Sequence, residues 1–204
     1  KGIAADDSRA AEWFEKAAAN GDVQAKRMLG YLHEEGRGVE KSGETAAKWY
    51  REAAKAGNRE AMEALGALYF FGSGVEQDYV QAAKWYLEPA RQGSTYAQYL
   101  LGYMYEDGKG VSKDPVEAAK WYKLAAEKGD AGAQGRLGWM YYEGTGVEKN
   151  LIEAYVWSNL AAARLSGEER TQVEKVRDYI ASQLEPEDLS QAQQRARDWQ
   201  PKTQ

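Results

Sequence analysis

The sequence predicts an all-α fold, a right-handed α-α superhelical solenoid of two-helix repeats, from three observations. Tryptophans recur at Trp13, Trp49, Trp85, Trp121 and Trp157, each 36 residues after the last. A Leu-Gly pair recurs with the same period at Leu29-Gly30, Leu65-Gly66, Leu101-Gly102 and Leu137-Gly138. A Gly-x-Gly-Val segment recurs as well, beginning at Gly36, Gly72, Gly108 and Gly144. A fixed period of this length marks a stacked array in which each unit packs on its neighbours, so chain length counts repeats rather than the size of one central core.

Each repeat reads as helix A, loop, helix B, tight turn. The expected pairs cover 22–56, 58–92, 94–128 and 130–165, preceded by a lone helix B over 1–20. Lys1 to Asp6 aligns with the loop residues Arg37 to Ser42, so the first helix is expected from about Asp7, and the natural protein is expected to extend N-terminally by at least one helix A. Helix A starts after Gly21, Gly57, Gly93 and Gly129, which can end the preceding helix in the left-handed conformation. Asp22, Asn58, Ser94 and Asp130 then supply N-cap side chains. Helix B has its own caps in Ser42, Asp78, Asp114 and Asn150, with Pro115 at a first helical position and Glu117 and Glu153 placed for capping boxes.

The 3.6-residue period puts Ala46, Ala47, Trp49, Tyr50, Ala53 and Ala54 on one face of helix B and leaves Lys48, Arg51, Glu52 and Lys55 outside. The tryptophan is therefore expected in the core, with about 3–5 kcal/mol lost on Trp121→Ala. In helix A the apolar side is Ala25, Leu29 and Leu32, and the repeated glycine admits a close helical neighbour. Pro89 falls inside a helix B and is expected to kink it. After residue 165 the motif stops. Ser166 to Glu169 resembles a capping box opening a helix to about Leu184 with Val173, Val176 and Ile180 on one face. Pro186 interrupts it, and a last helix carries Leu189, Ala192, Ala196 and Trp199. Residues 166–204 are expected to close the array with two capping helices.

Composition removes several functional classes. A net charge of -5 gives no basic face for nucleic acid. With no cysteine and one histidine, His33, no disulfide, thiolate metal site, multi-histidine zinc site or Ser-His pair can be built. No run approaches the apolar length of a transmembrane helix. Carboxylates cluster at Glu34-Glu35, Glu60 and Glu63, and Glu106-Asp107, as expected of solvated helix faces. Gly-x-Gly-Val lacks the preceding strand and the Lys-Ser/Thr of a phosphate loop and reads as a turn.

The unit A-x3-LG-x2-Y-x2-G-x-GV-x2-D-x3-AA-x-WY-x2-AA-x2-G, carried over residues 1–165, resembles the Sel1-like repeat, a relative of the tetratricopeptide repeat. The tail from Leu165 to Trp199 is similar to the ending of bacterial members. His33 departs from the tyrosines at Tyr69, Tyr105 and Tyr141, Ala67 from an aromatic, and Pro89 from an alanine. The resemblance implies a non-enzymatic adaptor with no cofactor or metal that assembles other proteins, periplasmic or exported in a bacterium. By likeness to tetratricopeptide arrays, it also implies that helix A lines a concave binding side.

Helix A opposite its core carries aromatics mixed with acids. The residues expected to form a partner-binding groove are Tyr31, Glu63, Phe70, Tyr96, Tyr99, Tyr103, Glu106, Asp107, Trp139, Tyr142 and Glu143. Tyrosine and tryptophan are frequent anchors of binding energy, and the acids favour a basic or amphipathic protein or peptide. Two other readings stand beside this one. The aromatics could pack against a neighbouring repeat, and tyrosines beside carboxylates also suit an envelope glycan or peptidoglycan.

Overall fold

The computed structural model describes residues 2–202. They form eleven helices and no strand, the all-α class expected. Contacts divide the chain into two compact units, Lys1–Gln92 and Gly93–Gln204. The first holds α1 (Gly2–Ala19), α2 (Val23–Glu35), α3 (Gly43–Lys55), α4 (Arg59–Phe71) and α5 (Tyr79–Arg91). The second holds α6 (Thr95–Asp107), α7 (Pro115–Glu127), α8 (Ala131–Glu143), α9 (Leu151–Ala162), α10 (Gly167–Ala181) and α11 (Pro186–Asp198).

Local chemistry sets the helix starts as read. Asp22, Asn58, Ser94 and Asp130 each accept a hydrogen bond from the backbone N–H three residues on, at 2.8, 2.7, 3.2 and 2.7 Å. Ser42, Asp78, Asp114 and Asn150 do the same for helix B. The capping boxes do not close. Glu117 accepts from Lys120 and Glu153 from Arg195, because these cations offer charged partners within reach. Ser166 makes no side-chain cap bond either. Helix α1 begins at Gly2, not near Asp7. Ala4 and Ala5 stand where the later loops carry polar pairs such as Glu40-Lys41, and alanine is the best helix former. Lys1 itself lies outside the described residues. Helix α5 runs through Pro89 to Arg91, with Pro89 buried near its C-terminal end.

In the first three pairs the tyrosine after the tryptophan is the enclosed ring, whereas in the fourth Trp157 is itself buried. Tyr50, Tyr86 and Tyr122 are 3%, 0% and 0% exposed, whereas Trp13 is 70% exposed and Trp49, Trp85 and Trp121 are half-buried. Both residues fall on the apolar face, but only the tyrosine ring lies on the glycine of helix A. The Leu-Gly motif explains this choice. A Cβ on Gly30, Gly66 or Gly102 would stand 2.5, 2.7 or 2.6 Å from the Tyr50, Tyr86 or Tyr122 ring, so the ring lies flat on bare backbone. In the fourth pair Ser158 replaces the tyrosine, and a Cβ on Gly138 would meet Ser158 Oγ at 2.5 Å and its backbone nitrogen at 3.0 Å. The leucines beside these glycines, Leu29, Leu65, Leu101 and Leu137, are no more than 1% exposed. Burial of each contributes about 1.5–3 kcal/mol. Trp49 packs on the Ala18, Ala25 and Leu29 cluster of α1 and α2, and Trp85 packs on the cluster of α3 and α4, so these tryptophans join one pair to the one before.

Helix A carboxylates satisfy the hydroxyls of Tyr50 and Tyr122. Tyr50 donates to Glu34 at 2.7 Å and Tyr122 to Glu106 at 2.6 Å. Burial first, and then the adjacent carboxylate, raises the pKa of both phenols far above the ordinary tyrosine value. A proton held more tightly in the folded state stabilises it fully below the unfolded tyrosine pKa of about 10, and this stabilisation is lost as pH rises beyond that value. Alkaline unfolding is therefore expected to begin above about pH 10 and to be less steep in Tyr50→Phe and Tyr122→Phe, as read by circular dichroism against pH. An unchanged alkaline limb in both variants would contradict the assignment.

Helix α9 differs from its predecessors. Ala154 to Ser158 and Leu160 to Ala162 are all buried, because α8, α10 and α11 pack around it. A helix apolar on all sides belongs in such a place. Helix α10 starts at Gly167, one 36-residue period after Ala131, and lies against α9 and α8. Helix α11 buries Ala192 and Ala196, and Trp199 beyond its end meets Trp157 edge-on at 6.4 Å. Ile180 of the expected α10 stripe is fully buried, whereas Val173 and Val176 are partly exposed.

Candidate functional site

Helix A residues facing away from their own leucine do not share one environment. The column of Glu34, Phe70 and Glu106 points toward helix B. Glu34 and Glu106 meet a tyrosine hydroxyl there, and Phe70 meets the Tyr86 ring at 6.5 Å. Phe70 is consequently 7% exposed, edge-on to Phe71 and Tyr79, and offers no anchor to a partner, while the next residue, Phe71, is 60% exposed. Tyr31 is half-buried in the first unit with Arg37 over its ring, and Glu63 lies 3.8 Å from Arg59.

The second unit holds the remaining expected residues. Tyr96 is 45% exposed. Tyr103 is half-buried, with Lys109 4.4 Å from its ring centroid, and Asp107 pairs with Lys109 at 3.4 Å. Glu143 is exposed at the end of α8. Tyr99 and Trp139 come together, since both line a cleft of about 500 Å³ between α6, α8 and α10. Trp139 is 43% exposed and its ring stands 5.5 Å from Tyr142. Tyr142 in turn meets Tyr179 of α10 at 5.9 Å.

One wall of this cleft lies outside the residues expected to form the groove. Val173, Val176 and Gln172 of α10 supply it, with Glu168 and Glu169 at the first turn of that helix. The floor includes Gly132 and Gly135 of α8, which stand where α6 has Tyr96 and Tyr99. A Cβ at Gly135 would have ordinary contacts, 3.5 Å to Val173 and 3.8 Å to Ala161, so an alanine fits there. Two glycines three residues apart inside a helix each cost about 0.5–1 kcal/mol relative to alanine, and this was the available sequence signal.

A charged chain stiffens the cleft on the α6 side. Tyr122 donates to Glu106, Glu106 lies 3.6 Å from Arg136, and Tyr99 tilts against Tyr122 at 5.8 Å. Burial alone would lower the Arg136 pKa, but Glu106 with Tyr122 and Tyr99 more than offsets it and holds the value above that of an ordinary guanidinium. Glu106 is thus an internal partner rather than a free rim charge. His33, the lone histidine, sits elsewhere with Nδ1 3.1 Å from the Glu40 carbonyl oxygen, a packing contact.

Among the described residues no group of three or more histidine, cysteine or acidic side chains could hold a metal ion. What the cleft can do is bury apolar side chains of another molecule. These features define an α-helical repeat protein with a cleft at the join between its last helical pair and α10. The chain belongs to the Sel1 repeat family, whose model matches residues 1–22, 23–58, 59–94, 95–130 and 131–164.

The fold is shared with a protective antigen of uropathogenic Escherichia coli strains displaying an SLR fold, at a TM-score of 0.81 and 33% identity over 94% of this chain. The chain spans 41% of that antigen's length. It is also similar to a Sel1 repeat protein from Oxalobacter formigenes, at a TM-score of 0.72 and 30% identity, covering 95% of this chain and 80% of that one. No protein of curated function matches the sequence. Sel1 repeats generally mediate protein–protein interactions and are a non-enzymatic scaffold kind. No helix among the described residues is long and apolar enough to cross a membrane.

Proposed function

We propose that the chain is a non-enzymatic scaffold that holds a segment of another protein in the cleft between α6, α8 and α10. The observation that carries this reading is the half-exposed Trp139 beside Val176 in an apolar recess that no side chain of the second unit fills. A large ring exposed next to a ready-made cavity is the arrangement of a binding hot spot. Tyr99 stiffens the wall, Tyr142 backs the tryptophan, and Tyr96, Tyr103, Asp107 and Glu143 lie on the same two helices, α6 and α8. Tyr31, Glu63 and Phe70 have no part in this cleft.

Affinity capture with the full chain, compared with Trp139→Ala, tests the proposal. Proteins recovered on the wild type are expected to be lost on the variant while its helical signal and melting temperature stay unchanged, since a half-exposed side chain contributes little to the fold. Recovery of the same proteins by both would contradict the proposal. An envelope glycan is the competing occupant. Tight binding of soluble peptidoglycan fragments, with no protein recovered, would contradict it as well.

A further inference from the structure

The cleft continues past Trp139. A second cavity of about 220 Å³ opens on its other side, lined by Trp139, Tyr142, Lys175, Val176 and Tyr179. Trp139 and Val176 are therefore a ridge shared by two compartments. Helices α8 and α10 run in the same chain direction past both, with Gly135 beside Val173 and then Tyr142 beside Tyr179. The residues lining the smaller compartment lie on average about five positions further along both α8 and α10 than those lining the larger, an offset of ~7.5 Å at ~1.5 Å per residue. Residues i and i+2 of an extended chain point to the same side and are about 6.7 Å apart, which fits that offset.

The charges along the crease are segregated. Glu168 and Glu169 are exposed at the larger compartment, and neither has an ion-pair partner among the described residues. The third charge there, Arg136, is turned to Glu106. At the smaller compartment the lining charge is Lys175, and Lys149 stands 5.2 Å from the Tyr142 ring centroid.

Resting on the scaffold reading above, we infer that this bipartite crease selects an extended protein segment with two apolar residues at i and i+2. A basic residue flanks the apolar residue in the larger compartment, and an acidic residue flanks the one in the smaller. The apolar pair supplies the binding energy in the recesses on either side of Trp139, and the flanking charges fix which end of the segment lies at Glu168.

A phage-displayed library of random dodecapeptides, panned on the full chain, tests this inference. Enriched peptides are expected to carry the pattern basic, apolar, any, apolar, acidic, in one chain direction or the other. Their affinity is expected to fall at least ~30-fold on Val173→Asp, a hot-spot loss. It should fall about threefold on the surface double variant Glu168→Lys with Glu169→Lys, which leaves the core untouched and keeps the test readable if Val173→Asp unfolds. Peptides that lack the pattern but are lost on Val173→Asp would overturn this inference and leave the scaffold reading standing. Peptides indifferent to both variants, or no enrichment at all, would overturn both.

Discussion

Tyr122→Ala is expected to lower the free energy of unfolding by about 3–5 kcal/mol, the range for emptying a large aromatic from a core. The side chain is fully buried between α6 and α7, and its ring covers the bare backbone at Gly102. Its hydroxyl also satisfies Glu106, so the variant leaves a cavity and a carboxylate without its donor. Trp121→Ala, at a half-buried neighbour in the sequence, is expected to cost less. Lys120→Ala removes only an exposed pair with Glu117 and is expected to fall within about 0.5 kcal/mol of the parent. Urea midpoints for the three variants check the order. A larger loss for Trp121→Ala than for Tyr122→Ala would show that the wrong ring has been placed at the centre of the repeat.

Gly102→Ala is the complementary change and is expected to destabilise by about 1–3 kcal/mol, the range for overpacking. Alanine is favoured over glycine inside a helix by about 1 kcal/mol, so helix propensity alone gives the opposite sign. The clash decides it. A Cβ there stands 2.6 Å from the Tyr122 ring, which is enclosed and has nowhere to turn. Gly135→Ala in the adjacent repeat meets nothing closer than 3.5 Å and is expected to be neutral or stabilising by a few tenths of a kcal/mol. Opposite shifts in melting temperature for these two glycine variants are the expected result. Stabilisation by Gly102→Ala would mean that the helices sit further apart than described.

What the sequence makes legible depends on the range of the interactions involved. The helix starts at Asp22, Asn58, Ser94 and Asp130 were legible because an N-cap acts on backbone three residues away. The choice between Trp121 and Tyr122 was not legible from helix B alone, since both lie on its apolar face. Pairing the Leu-Gly motif with the Trp-Tyr motif would have resolved it, because a helical glycine marks where a ring must lie flat. Phe70 was misread for a related reason. Its column borders helix B, as the Glu34–Tyr50 and Glu106–Tyr122 bonds make plain, and only knowledge of the facing helix supplies that phase.

The cleft was legible in half. Tyr99 and Trp139 were identified from their own helices, whereas Val173 and Val176 come from α10, where the repeat motif has already ended. The helix start at Gly167 nonetheless keeps the 36-residue spacing from Ala131, so the period outlasted the motif. The paired glycines at Gly132 and Gly135 marked the floor of the cleft, but their meaning depended on which helix would lie alongside.

The most direct measurement is a calorimetric titration of a captured partner segment into the full chain, its Trp139→Ala variant and the Lys120→Ala control, each checked by circular dichroism. Trp139→Ala is expected to weaken binding by at least about 2 kcal/mol with its helical signal unchanged, while Lys120→Ala binds as the parent does. Equal affinity for the parent and Trp139→Ala would contradict the cleft as the binding site.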